Sequence, residues 1–337
     1  MAIKVGINGY GTIGKRVADA VAKQKDMKLV GVTAHSYSFN TEVAKQKGYK
    51  IFSVGDDSDL KLNGIKPDGA IHNLLEEADV IVDATPRKIG KENIEKLYRP
   101  NKIKGIVQGG EKHETTGISF VAQCNYDGAL NKDFARVVSC NTTGLCRTLN
   151  ALNKFEITSV HATMIRRGAD PWDIYHGPIN AIVPVLEMPS HHGPDVQTVL
   201  PKCQIFTTAL SVPSTLMHLH SVIADVKKKI NVEDVIEVLN KTTRVRIVRN
   251  AEHLRSTAEI MEFARDLGRL RGDMPEICVW KEAVGVTSNS HNKLLYMQAV
   301  HQESDVIPEN IDCIRAIMGF KDGQKSIQMT NDTFGIK

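Results

Sequence analysis

The chain has 337 residues, 43 Lys and Arg against 39 Asp and Glu, and 42% hydrophobic residues. This is globular composition, long enough for about two domains at roughly 100–200 residues each, and it excludes a disulfide-stapled mini-protein. A net charge of +4 is too small an excess to predict nucleic-acid binding, and no run approaches the ~18–20 apolar residues of a membrane span.

From the N-terminus, apolar runs at Ile3–Ile7, Leu29–Thr33, Val80–Asp83, Gly105–Val107 and Val137–Ser139 alternate with helical stretches, the pattern of a parallel sheet flanked by helices. Between the first two, Ile13, Val17, Ala20 and Val21 recur at helical spacing beneath a polar Lys15, Arg16, Asp19 face, so the chain opens with a βαβ unit. Beyond residue 150, longer apparent strands near His161–Arg166, Gln204–Val212, Leu216–Val226 and Leu294–Val300 predict a separate mixed or antiparallel sheet. His191–Asp195 reads as an ordered polar loop. The basic run Lys241–Arg249 alternates like a half-exposed strand with a solvated face. Asn231 caps a helix with Val232, Val235, Ile236 and Leu239 as its stripe. The capping box Ser256–Glu259 opens another, carrying Ile260, Phe263, Ala264 and Leu267 and stopped by Gly268. Pro308 suits the first turn of a C-terminal helix with Ile311, Ile314 and Ile317 buried and Gly319 at its end.

Gly9-Tyr10-Gly11-Thr12-Ile13-Gly14 is a G-x-G-x-x-G directly after an apolar strand and directly before an amphipathic helix. Glycines let the backbone turn tightly and let a pyrophosphate reach the helix N-terminus, where N–H groups and the dipole favour anions. Any Cβ at Gly11 would stand in the way. Where the second strand ends, a carboxylate would hydrogen-bond the ribose 2′-hydroxyl of NAD and repel a 2′-phosphate. That position is Thr33, followed by Ala34, His35 and Ser36, so both NADP and NAD are expected. The expected architecture is α/β: a Rossmann-type doubly wound parallel sheet over residues 1–139 and 303–337, the C-terminal helix returning to it, plus an α+β catalytic domain over 140–302.

Six cysteines, at 124, 140, 146, 203, 278 and 313, lack a CxxC pair and read as reduced thiols. Cys140 differs from the rest in its setting, Ser139-Cys140-Asn141-Thr142-Thr143-Gly144, between a short apolar strand and a helix. A thiol beside a helix N-terminus is stabilised as thiolate, and the expected lowering of its pKa makes it a nucleophile. The other five read as buried structural cysteines. The N-terminus lacks the apolar segment of a secretory signal, so a cytoplasmic protein is expected.

The glycine loop in the form Ile7–Arg16, together with Gln108–His113, Val138–Arg147, Arg166–Pro171, Pro189–Asp195, Leu216–His220 and Met297–Asp305, closely resembles the archaeal-type (type II) glyceraldehyde-3-phosphate dehydrogenases over essentially the whole chain. The resemblance implies reversible phosphorylating oxidation of glyceraldehyde 3-phosphate by NAD(P), a step of glycolysis and gluconeogenesis. Cys140 would form a thiohemiacetal and then a thioester that inorganic phosphate attacks. It also implies a cytoplasmic homotetramer. The substrate and phosphate are the expected partners, with no nucleic acid, membrane or metal.

His218 and His220 alternate on a predicted strand and share a face, which leaves the base open between them on spacing alone. The resemblance selects His218. It places Ser139, Asn141, His192 and Gly193 at the substrate, and Arg167, Gly110 and Gln302 at the cofactor, with Gly9, Gly11, Thr12, Ile13, Gly14 and Thr33 in the dinucleotide groove. Arg166 and Arg167 offer rigid donor forks for two anions, with Arg166 assigned to substrate or phosphate. A zinc site among His191, His192, His218 and His220 is disfavoured because no H-E-x-x-H accompanies them. The competing readings are a semialdehyde dehydrogenase of the aspartate-semialdehyde and N-acetylglutamyl-phosphate reductase type, and a non-catalytic nucleotide binder on the same fold.

Overall fold

The computed structural model describes residues 2–173, 176–287 and 292–336. The chain divides into two compact units, 1–138 with 307–335 and 139–306 with 336–337.

The first unit is built on β1 (Ile3–Asn8), β2 (Met27–Ala34), β3 (Ile51–Ser53), β4 (Gly69–Ala70), β5 (Val80–Asp83), β6 (Lys104–Val107), β7 (Ser119–Phe120) and β8 (Phe134–Val137). They form one sheet in the order β4-β3-β2-β1-β5-β6-β8-β7, with every pair parallel. All four residues of β5 are buried, as a strand covered by helices on both faces requires. The order reverses between β1 and β5, which makes the C-terminal ends of these strands the topological switch point. The helix Gly14–Ala22 buries Val17, Ala20 and Val21 as its spacing predicts. Arg16 departs from its predicted polar face: it is buried, and its guanidinium donates to the Thr12 carbonyl at 2.9 Å. The expected C-terminal helix is Ile307–Ile317, buried along its whole length because it lies against the helix Gly14–Ala22 and strands β6 and β8 and is covered by a further helix, Gly323–Phe334. Arg315 fastens it, donating to Asp26 at 2.8 and 2.9 Å.

The second unit holds β9 (Ile157–Arg167), β10 (Val183–Pro184), β11 (Ile205–Val212), β12 (His218–Val226), β13 (Val245–Val248), β14 (Ile277–Trp280), β15 (Gly285–Val286) and β16 (Lys293–Val300). The order is β10-β11-β9-β12-β16-β14-β13, with β15 also on β16. The sheet is mixed: β9 and β11 are parallel, as are β13 and β14, while β12 runs antiparallel to β9 and β16. Burial alternates strictly along β12, so His218, His220, Val222, Ala224 and Val226 all face inward. The helix Cys140–Leu152 packs on β16 at Gly144, where an added Cβ would come within 2.8 Å of Val300 Cγ2.

Three local expectations are corrected. The His191–Asp195 loop is the start of a helix, His192–Gln197, with Pro194 in its first turn where no N–H is missed. The basic run is not simply a solvated face, because Arg244 is fully buried and Arg246 stacks 4.6 Å over the Phe263 ring. In the Ser256-capped helix, Met261 is buried in place of Leu267, which is exposed beyond the last turn.

Candidate active site

At the switch point of the first unit, the chain leaves β1 into the glycine loop. Gly9 has φ +94°, and a Cβ at Gly14 would lie 1.8 Å from the Gly9 carbonyl oxygen, so each is glycine for a steric reason within the chain. Gly11 is different: a Cβ there meets nothing within 4 Å, so only something approaching from outside gives it a reason to be small. The helix behind the loop has no side-chain cap and no acidic residue in its first turn. An open cradle ending on an uncapped helix N-terminus fits the pyrophosphate of a dinucleotide.

A buried network shapes this loop. The Gly9 N–H donates to Thr33 Oγ1 at 2.8 Å, Thr33 Oγ1 donates to Asn8 Oδ1 at 2.8 Å, Asn8 Nδ2 donates to the Tyr98 hydroxyl at 2.8 Å, and that hydroxyl donates to Asp83 Oδ2 at 2.6 Å. The structure thus places the Thr33 hydroxyl under the loop, holding Gly9, rather than free at the end of β2. No carboxylate follows it, since the next residues are Ala34, His35 and Ser36. Gly110 lies exposed beyond β6, where a Cβ would meet Arg87 at an ordinary 3.5 Å.

In the second unit Ser139 caps the helix that begins at Cys140. Its Oγ accepts from the Thr142 N–H at 3.4 Å and lies 2.9 Å from Thr142 Oγ1, which itself donates to Asp195 Oδ2 at 2.6 Å. Cys140 is partly exposed. Its thiol departs from the expected lowering: burial, with the Asp305 carboxylate adding, pushes it above the ordinary thiol value, while the N–H groups of Asn141 and Cys140 and the Arg167 guanidinium pull the other way. The helix terminus acts in the predicted sense and is outweighed.

His218 is buried, and its Nδ1 accepts from the Arg167 backbone N–H at 3.0 Å. The neutral ring therefore carries its proton on Nε2, which sets a condition on the base role: Nε2 is a donor until the ring exchanges that contact. Burial first, then His220, Arg167, Arg166 and His192, hold the ring well below the usual histidine range. Arg167 pairs with Asp170 and lies 3.7 Å from Glu303, while its Nε and Nη1 are buried without a partner among the described residues. Arg166 reaches Ser211 at 3.4 Å and its buried Nε is likewise unpartnered. Gln302 is buried with its Oε1 unpartnered, an amide group with an acceptor to spare.

His192 is buried and neutral, pushed down to about 3 by burial, then His191, Arg166 and His220. Both its ring nitrogens are engaged inside the chain, with Asn141 and Ser190, and His191 stacks on it at 4.0 Å. Gly193 is buried beside it, its N–H on Thr207 Oγ1 at 2.9 Å. His220 is fully buried, between Asn141 and Gln298. Ser190, Thr207, Gln298 and Asp305 were not singled out from the sequence. The inward phase of β16, shared by Tyr296, Gln298 and Val300, was the one available sign that an amide faces the core.

A doubly wound parallel sheet with an open glycine cradle at its switch point fits the class of NAD(P)-dependent oxidoreductases. Residues 139–283 match the profile of the glyceraldehyde 3-phosphate dehydrogenase C-terminal domain, and residues 3–142 that of the dihydrodipicolinate reductase N-terminus. The chain is 52% identical to proteins named glyceraldehyde-3-phosphate dehydrogenase from Methanococcoides burtonii (99% of each chain) and Pyrococcus furiosus (100% of this chain, 99% of the other). The chain belongs to the glyceraldehyde-3-phosphate dehydrogenase family. Among solved structures, aspartate semialdehyde dehydrogenase II from Vibrio cholerae shares the fold, with a TM-score of 0.68 at 10% identity over 94% of this chain and 99% of that one.

Proposed function

We propose that the chain catalyses the reversible phosphorylating oxidation of glyceraldehyde 3-phosphate to 1,3-bisphosphoglycerate, with NADP or NAD as hydride acceptor. The observation that carries this reading is Cys140 at the N-terminus of its helix, with Asn141 next in the chain and the Arg167 guanidinium acting on the thiol, while the Arg167 backbone N–H holds His218 and the Arg167 Nε and Nη1 have no partner among the described residues. The Cys140 thiol gives its proton to solvent, and the resulting thiolate sulfur bonds to the aldehyde carbon and leaves the oxygen anionic. The Nε2–H of His218 and the amide of Asn141 are donors suited to that oxygen. When bound, the nicotinamide supplies the hydride acceptor. Once the C–H bond of the adduct has broken with its electron pair and the carbonyl has re-formed as the Cys140 thioester, a phosphate oxygen attacks that carbon, the carbon–sulfur bond breaks, and the thiolate is restored. Arg166 supplies donors to substrate phosphate or inorganic phosphate, Arg167 supplies donors to the cofactor, and Gln302 offers the cofactor its Oε1 as an acceptor. The residues that follow Thr33, namely Ala34, His35 and Ser36, carry no carboxylate to take the 2′-hydroxyl of NAD, which supports NADP alongside NAD.

We place the enzyme in the cytoplasm as a homotetramer, serving glycolysis in one direction and gluconeogenesis in the other. All six cysteines are free, and no helix among the described residues is long and apolar enough to cross a membrane. The face of the second sheet opposite His218 and His220 exposes Phe206, Leu295 and Met297, apolar surface suited to a second subunit. The test is the initial rate of NADP and NAD reduction with glyceraldehyde 3-phosphate, with and without phosphate or arsenate, and with aspartate semialdehyde as the contrasting substrate. Phosphate-dependent reduction with glyceraldehyde 3-phosphate alone is expected. No reduction of either cofactor would overturn the reading.

A further inference from the structure

The cluster around Asn141, the residue after Cys140, contains an unbroken chain of hydrogen bonds whose direction is set by backbone at one end. The Gly193 N–H donates to Thr207 Oγ1 at 2.9 Å, and Thr207 Oγ1 donates to the Ser190 carbonyl at 2.9 Å, which uses the threonine's single proton. Ser190 Oγ, also 2.9 Å from Thr207 Oγ1, must then be the donor in that pair. With its proton so used, Ser190 Oγ accepts from His192 Nδ1, 3.2 Å away, and His192 Nε2 is left as an acceptor. Asn141 therefore turns Nδ2 toward that nitrogen at 3.2 Å and Oδ1 toward His220 Nε2 at 2.8 Å. His220 Nε2 carries its proton, and His220 Nδ1 accepts from Gln298 Nε2 at 3.0 Å. Every side chain in this chain is at most 5% exposed, so water does not blur the order.

We propose that Thr207 and Gln298 are positioning residues that fix the amide of Asn141 in one orientation, so that it presents an unspent N–H, and not its carbonyl oxygen, to an oxyanion at Cys140. This rests on the reading above that Asn141 touches the reacting substrate. Each Asn141 amide hydrogen can serve one partner: one is on His192, and the other remains for the developing oxygen charge. If Thr207 lost its hydroxyl, Ser190 would be free to donate to His192, both rings could change tautomer, and Asn141 could reverse. The register makes the arrangement possible, since His220 faces Gln298 across β12 and β16 and Thr207 lies on the neighbouring inward phase of β11.

Neutron diffraction from deuterated crystals of the whole protein tests the order directly. Deuterons are expected on His220 Nε2 and His192 Nδ1; deuterons on His220 Nδ1 or His192 Nε2 would overturn the proposal whether or not the enzyme uses glyceraldehyde 3-phosphate. Thr207→Val is expected to lower kcat ten- to hundredfold with KM for glyceraldehyde 3-phosphate changed less than threefold. Gln298→Met should do the same, and Thr207→Ser should recover the wild-type rate to within threefold. Wild-type kcat in folded Thr207→Val and Gln298→Met refutes a positioning role. A wild-type chain inactive on glyceraldehyde 3-phosphate would refute the functional reading while leaving the neutron result standing. Should either variant fail to fold, the deuteron positions in the wild type still decide.

Discussion

Gly11→Ala and Gly14→Ala separate a glycine kept for a ligand from one kept for the fold. At Gly14 the added Cβ would lie 1.8 Å from the Gly9 carbonyl oxygen, so even a 3.0 Å contact requires loop and helix to part by a further 1.2 Å. Overpacking of this kind costs about 1–3 kcal/mol, against about 0.5–1 kcal/mol that alanine returns to a helix, so a net loss of about 1–2 kcal/mol is expected. In a unit of this size that lowers Tm by roughly 2–8 °C. Because the displaced atoms belong to the cradle, dinucleotide binding falls as well. At Gly11 no atom of the chain lies within 4 Å of the new methyl, and Tm should stay within about 2 °C of wild type. The methyl instead occupies the path of the pyrophosphate, and Kd for NADP and NAD should rise ten- to hundredfold, about 1.4–2.8 kcal/mol. Differential scanning fluorimetry and titration of each cofactor measure both quantities on the same samples. A Gly11→Ala protein that binds both cofactors like wild type would show that the cradle is not where the pyrophosphate sits.

Two further outcomes follow from titrating groups. Because burial and Asp305 hold the Cys140 thiol up, its alkylation by iodoacetamide in the ligand-free enzyme should keep accelerating above pH 8, and Cys140→Ser should abolish both that reaction and turnover. A rate already level at pH 6 would contradict this. His192 and His220 are each pushed down to about 3 while their unfolded counterparts titrate near 6.5, so between these values the unfolded state binds more protons. The stability they contribute is complete above pH 6.5 and is lost as pH falls toward 3, at up to about 1.4 kcal/mol per pH unit for each ring. Urea unfolding between pH 6.5 and 4.5 measures the slope. If His192→Gln leaves that slope unchanged, His192 is not buried neutral.

The sequence carried the fold wherever a strand was long enough to show a period. β5 and the C-terminal parts of β1 and β2 are apolar runs buried on both faces, and β12 alternates so regularly that spacing alone puts His218 and His220 on one face. β3, β4 and β7 have only two or three residues, too few for any periodicity, and their places in the sheet come from pairing. The glycine loop was legible because its parts are contiguous. The cluster around Cys140 was legible only as separate residues, because its order depends on strand register. Asn141 meets His192 and His220 across 51 and 79 residues, and nothing local marks Thr207 or Gln298 as partners.

The thiol shows the same boundary in energetic terms. A motif at a strand-to-helix junction reports the helix terminus correctly, because that field comes from the neighbouring N–H groups. It is silent on desolvation and on Asp305, which the turn after β16 brings in from the far end of the unit and which together outweigh the dipole. Charge at Cys140 is therefore a property of the folded unit. A substitution at Asp305 should change the thiol's reactivity at neutral pH as much as one at the helix terminus, and in the opposite direction: Asp305→Asn removes a like charge and should speed alkylation.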